Sequence, residues 1–193
     1  MVNTIKGGVE PSPAMLLGTA LHSALEWYVS DFVDIGKDGP TKVFEGHTID
    51  IASVAEYHSN WLDYSWFREV PTAKPVTTVP GLFLKCKADA VGGTTVVDHK
   101  VTTKAITDAT LQRHQDSYQW RAYLHAFGCS QFMYNVLQCE ERNGVWYVVN
   151  QEVVYCNDYE GMEAEVNNMA LQLYQWCEQN DLTEYLHKGG DNA

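Results

Sequence analysis

The sequence predicts an α/β fold, of the α+β kind, with a central mixed sheet flanked by helices. Three observations carry that expectation. Apolar residues recur at three- and four-residue spacing near both ends of the chain. Two pairs of β-branched runs are centred on Gly92-Gly93 and Asn143-Gly144, dipeptides suited to tight hairpins. The resulting order, helix, strands, helix, strands, helix, suits layers packed around one sheet. At 193 residues, 45% of them apolar, one domain burying roughly 70% of its unfolded surface is expected. We take residues 1–193 as one unit, with a core over about 14–155 and a final helix over about 159–187.

Taken in order, Leu17, Leu21, Leu25, Tyr28, Val29 and Phe32 predict a long helix over residues 14–33, with Ser12-Pro13 as cap and first turn. Residues 35–42 read as a loop, 44–49 as one short strand, and 51–67, rich in aromatics, as a second helix. Residues 68–79 are β-branched but broken by prolines. Two strands then meet across Gly92-Gly93, a third helix spans 108–127, and two more strands flank Asn143-Gly144. A last helix covers 159–180, ahead of a ragged tail at Gly189-Gly190.

The first residues lack the basic start and apolar run of a signal peptide, and no stretch reaches the ~18 apolar residues of a membrane span. A cytoplasmic protein without membrane partners is the expectation. Five cysteines, odd in number and without a C-x-x-C pair, predict reduced, packed thiols. The net charge of −12 argues against a nucleic-acid coat protein or basic membrane binder. Its distribution is uneven. Residues 68–121 hold eight basic side chains against five acidic, a local +3, and leave −15 for the rest. Such a chain would bind a polyanion only at this segment; chance clustering is the plain alternative.

Strand alternation sorts the first hairpin into two faces. Leu82, Leu84, Cys86, Ala88 and Ala90 share an apolar face, whereas Phe83, Lys85, Lys87 and Asp89 share the other. On the next strand Asp98 and Lys100 lie together and His99 points away. If the charged faces coincide, two carboxylates converge with an ammonium beside them, as divalent-metal phosphodiester chemistry requires. Solvated surface ion pairs are the simpler account of D-x-K alone. On the first helix, Glu26 stands one turn from His22 and could act as its partner. Gln115, Gln119 and Tyr123 line the third helix beside Leu111, Tyr118 and Ala122. Glutamines on that stripe need partners, backbone or phosphate.

G-x-x-x-H at Gly18 and His22, G-x(7)-D ending at Asp89, V-V-D-H-K at Val96 and Lys100, and Q-x-x-x-Y at Gln119 and Tyr123 follow one another in this order. The series resembles the RecB-like exonuclease branch of the PD-(D/E)XK nuclease superfamily, of the stand-alone phage and bacterial type. It covers residues 18–123, a little over half the chain. The resemblance implies an αβββαβ restriction-endonuclease-like core and a DNA exonuclease dependent on Mg²⁺ or Mn²⁺. It makes His22, Asp89, Asp98 and the His99 backbone carbonyl metal ligands, and Lys100 the catalytic lysine. Gln119 and Tyr123 would position substrate and the catalytic strand. Glu69 is a candidate for a second metal, and the charge map adds Lys85, Lys87, Lys104 and Arg121 as phosphate contacts.

The chain also departs from the pattern of the family it resembles. Some members bind an iron-sulfur cluster through a cysteine ahead of the histidine motif, but no cysteine here precedes Cys86, so no cluster is expected. No G-x-x-x-x-G-K-[ST] phosphate loop occurs, so no nucleotide cofactor is expected either. The implied partners are DNA and a recombination or single-strand-binding protein, and the resemblance allows an oligomer. A nuclease-fold module that binds DNA ends or a partner protein without cutting is the second reading, suited to the acidic remainder. An acidic DNA mimic explains the net charge but not the clustered lysines.

Overall fold

The computed structural model describes residues 10–30, 39–58 and 66–187. Among these, six helices flank one seven-stranded mixed sheet. The elements are α1 (Pro13–Ser30), β1 (Thr41–Phe44), β2 (His47–Asp50), α2 (Ile51–His58), β3 (Phe67–Pro75), β4 (Phe83–Gly92) and β5 (Thr95–Thr102). Then come α3 (Asp108–Gln115), α4 (Gln119–Phe127), β6 (Gln131–Arg142), β7 (Val145–Asn157), α5 (Met162–Gln179) and α6 (Thr183–His187). The strand order is β1-β2-β7-β6-β5-β4-β3, with β2/β7 and β5/β6 parallel and the other neighbours antiparallel.

The sheet is covered on both sides. Leu17, Ala20, Leu21, Ala24 and Leu25 form the buried stripe of α1 and pack with Ile49, Val54, Leu137 and Val148. Their spacing of three and four residues gives a helix one apolar face. On the other side Trp120, Leu124, Met162 and Val166, from α4 and α5, meet Ala88, Val96, Phe132, Tyr134 and Val154. Strand β6 therefore contributes to both clusters and is buried along most of its length, as a central strand between helical layers must be.

Turn chemistry explains most boundaries. Ser12 Oγ accepts the Met15 N–H at 3.3 Å, which leaves Pro13 at a first-turn position that needs no N–H donor. Asn143 and Gly144 both have positive φ, the conformation that a two-residue turn between twisted strands demands. Pro71 and Pro75 are tolerated because β3 pairs on one side only, with β4. Thr107 caps α3 by accepting the Thr110 N–H. Thr107→Ala should therefore cost about 1 kcal/mol in urea unfolding.

Four expectations need correction. The single strand at 44–49 is a hairpin, β1 and β2, turned at Glu45 and Gly46, both with positive φ. The helix expected over 51–67 is described only to His58, and Phe67 already belongs to β3. Gly92 pairs with Thr95, so the β4–β5 turn is Gly93-Thr94; a Cβ at Gly92 would clash with the Trp66 ring. The helix expected over 108–127 breaks between α3 and α4. Ser117 Oγ accepts the Gln119 N–H at 3.1 Å and Trp120 Nε1 donates to the Gln115 carbonyl at 2.8 Å. These local bonds compete with the helical ladder without Pro or Gly. The expectations for residues 31–33, 35–38, 59–65 and 188–193 lie outside the described residues.

Candidate functional site

The motif residues meet where β4 and β5 separate. Backbone pairing between these strands runs only from Gly92↔Thr95 to Ala90↔Val97. Beyond it, the His99 N–H donates to Asp89 Oδ2 at 2.6 Å, so a side chain takes the place of the next main-chain acceptor. The strand pattern resets there. Ala88 packs with Trp120 and Leu124, but Ala90 packs with Val97 and Met133. The continuous apolar face expected from Leu84 to Ala90 thus divides at Asp89.

Helix α1 brings His22 to this opening. Its Nε2 lies 3.0 Å from the His99 carbonyl oxygen and its Nδ1 3.4 Å from Asp89 Oδ1. A small cavity of about 10 Å³, the room of roughly one water-sized occupant, is lined by His22, Glu26, Arg68, Glu69, Asp89 and His99, closed by Leu25. Glu69 enters from β3 with φ of 49° and forms an ion pair with Lys87. A left-handed glutamate is strained, and such strain collects at functional sites.

Asp98 and Lys100 lie on the α4 side of β5, as alternation predicts. Lys100 Nζ is 2.7 Å from Asp98 Oδ2, and Gln119 Nε2 donates to Asp98 Oδ1 at 2.7 Å. The Lys100 ammonium is thus in close ionic contact with a buried carboxylate oxygen. Tyr123 donates to the Lys87 carbonyl at 2.9 Å, tying α4 to β4 beside the site. Gln115, expected on the same stripe, is exposed because of the break between α3 and α4.

The charges are arranged unequally. Burial would lower the His22 ring's pKa, but the hydrogen bond and charge of Asp89, the His99 carbonyl and Asp98 together hold it above the ordinary value. Burial would raise Asp89, yet the His22 hydrogen bond and charge outweigh it and hold that carboxyl low. For Asp98 burial wins over Lys100, with the Asp89 charge adding to it, and the carboxyl is held high. His114 is pushed down by burial and by the Lys100 and Arg113 cations.

These directions set a stability test. The raised His22 pKa stabilises the fold below the unfolded histidine value of about 6.5 and is lost as pH rises through the folded value. The lowered Asp89 pKa stabilises it above the unfolded aspartate value of about 3.9 and is lost as pH falls through the folded one. The pair is therefore most effective between about pH 4 and 6.5. His22→Gln should flatten the fall in thermal stability from pH 6 to 9; parallel curves for wild type and variant would contradict the pairing.

The contacts that hold the His99 ring were not visible in the motifs. The His99 ring turns to the α1 side, edge-to-face with His22 at 5.9 Å. Its Nδ1 takes the Asn135 amide N–H at 3.0 Å, and Gln151 Nε2 donates to Asn135 Oδ1 at 2.7 Å. Asn135 is fully buried in β6. A lone asparagine inside the apolar run of residues 132–137 was the available signal.

The other candidate cations differ in their commitments. Lys87 is paired with Glu69, and Arg121 lies 3.5 Å from Glu165 while bonding the Ser117 carbonyl. Lys85 is exposed on β4, and Lys104 follows β5. Glu26 is exposed at the cavity rim. Among the described residues, no three His, Cys, Asp or Glu side chains are gathered at metal-ligand spacing. Asp98, held by Lys100 and Gln119, is not among the residues that line the cavity.

The chain matches no protein-family model and no curated protein. It is similar to a solved structure described as "Crystal structure of SSO0001", with 14% identity and a TM-score of 0.38, over 88% of this chain and 83% of that one. No function follows from so distant a likeness. No helix among the described residues is long and apolar enough to cross a membrane.

Proposed function

We propose that this protein is a metal-dependent deoxyribonuclease with a PD-(D/E)XK core, a RecB-like exonuclease that hydrolyses phosphodiester bonds during DNA processing or recombination in the cytoplasm. The observation that carries the reading is the junction of β4 and β5. There the Asp98–Lys100 pair stands beside Asp89, His22 and the His99 carbonyl, all at the positions of the ordered motifs.

The donor set suits Mg²⁺ or Mn²⁺. His22, Asp89 and the His99 carbonyl offer one nitrogen and two kinds of oxygen around a cavity of about 10 Å³, and the buried Asp98 Oδ2 would have to exchange its Lys100 contact for the cation to join them. Hard oxygen donors favour these cations, and the imidazole tilts the preference toward Mn²⁺. The cation would supply positive charge beside the scissile phosphate and make water a better nucleophile. Lys100 would orient the attacking water or stabilise charge developing on the phosphate. Gln119 fixes Asp98, and Tyr123 fixes the strand carrying Lys87 and Asp89. His22 must release its proton for the ring to serve as a ligand, so binding should strengthen as pH rises.

The non-cutting module keeps a specific observation in its favour. Asp98 is already engaged by Lys100 and Gln119, and the chain carries a net charge of −12. Incubation of end-labelled linear DNA and closed circular DNA with Mn²⁺, Mg²⁺ or EDTA separates the readings. An exonuclease degrades the linear form alone and only with metal. No degradation of either substrate would support the binding module.

A further inference from the structure

Beyond the ion-sized cavity lies a larger groove, of about 700 Å³, on the α3 side of Asp98. Among its lining residues are Lys100 and Gln119, both of which contact Asp98. Lys104 and, on α3, Thr110, Arg113 and His114 line it as well, and no carboxylate does. Asp116 nearby is held by Gln112 at 2.9 Å.

Lys100 is paired with Asp98, but the groove's other two cations, Lys104 and Arg113, are set apart by their lack of acidic partners among the described residues. Lys87 and Arg142 are ion-paired with Glu69 and Glu140, Arg121 with Glu165, and Lys74 bonds the His125 carbonyl. Lys104 and Arg113 are exposed and have no carboxylate partner among the described residues; Arg113 Nε reaches only the Ala109 carbonyl. A strongly acidic protein thus leaves two cations without carboxylate partners among the described residues in one groove, which Lys100 also lines.

We infer that this groove binds the phosphate backbone of single-stranded DNA and guides one strand to Lys100 and Asp98. The guiding step rests on the nuclease reading. The volume suits roughly one or two nucleotides, within the range of built ligand sites, and not the breadth of a duplex. The Thr102 hydroxyl donates to the Lys104 carbonyl, and of the Thr107 and Thr110 hydroxyls, which bond each other, one keeps a proton for a phosphate oxygen; a short basic track is how proteins follow a single strand. A duplex would need a second cationic flank, whereas Lys87 and Arg121 are already neutralised.

The test measures anisotropy of a labelled oligothymidylate in EDTA, from low to moderate salt, with wild type, Lys104→Gln/Arg113→Gln and the control Arg142→Gln. The double variant should lose affinity and lower the slope of log affinity against log salt by about 1.4, or about 0.7 per single-strand contact. The control should match wild type, and a duplex of equal length should bind more weakly and ignore the double substitution. An unchanged slope in a variant with wild-type melting temperature would overturn the inference. So would stronger binding of duplex by wild type. Digestion of linear DNA with Mn²⁺ by the same preparations keeps the two claims apart. Equal KM and salt slope in a cutting enzyme would overturn the groove alone. Groove-dependent binding by a wild type that cuts nothing would support the groove and overturn the nuclease reading.

Discussion

Asp98→Asn should lower DNA degradation by roughly 10³-fold, on the scale of losing a preorganised charged group at a reacting centre, while leaving the fold as stable or more stable at neutral pH. The two effects have one cause. Asp98 is buried, and its carboxyl is held high by that burial despite Lys100. A raised folded pKa means that ionisation costs stability as pH climbs through the acid range. Asparagine removes the charge at nearly constant volume, and its amide oxygen still accepts from Gln119. Lys100, about one-third exposed, can turn toward the groove and find solvent. Degradation rate and melting temperature at pH 7.5 check both halves. A variant that cuts normally would remove Asp98 from the chemistry. One that cuts poorly because it melts much earlier would make Asp98 a structural residue.

Asn135→Leu should cost about 2–4 kcal/mol, because two buried or half-buried polar groups, His99 Nδ1 and the Gln151 amide, lose their partner and each costs ~1–3 kcal/mol when unsatisfied. Asn135 is 0% exposed, so water cannot replace it. The loss should also reach the site. His99 contributes its carbonyl to His22 and its N–H to Asp89, and a tilted His99 moves both. Activity at 20 °C, where the variant remains folded, should fall by about 10-fold, as for outer-shell partners of metal ligands. Adding Gln151→Leu removes one orphan and should recover part of the stability but not the activity. Urea unfolding of the two variants and the double variant gives the coupling directly. Additive losses would mean that Asn135 and Gln151 act separately.

Much of this architecture was legible from periodicity. The stripe of α1 and the alternation around Asn143-Gly144 are local patterns, and local steric preferences realise them as a helix and a hairpin. Of the candidate site, the D-x-K alternation already placed Asp98 and Lys100 on one face and the His99 ring on the other. What escaped depends on partners distant in sequence or on side-chain competition with the backbone. The break before α4 arises from Ser117 and Trp120 bonding to neighbouring backbone, with no Pro or Gly to mark it. The reset at Asp89 arises from β4 leaving β5, which strand alternation cannot register. Asn135 and Gln151 meet His99 only when β5, β6 and β7 pair in register. Arg113 became a candidate for substrate contact only when the groove set it beside Lys104, while the structure gave Lys87 and Arg121 acidic partners.

If His22, Asp89, Asp98 and the His99 carbonyl serve one cation, Mn²⁺ should fill a single site that needs both carboxylates. Calorimetric titration of Mn²⁺ into the DNA-free protein at pH 6.5, in two buffers of different ionisation enthalpy, tests it most directly. A shared cation gives one saturable site, net proton release as His22 gives up its proton, and weaker binding by Asp89→Ala and Asp98→Ala alike. Affinity and proton release unchanged in both variants would mean that the carboxylates do not share a cation.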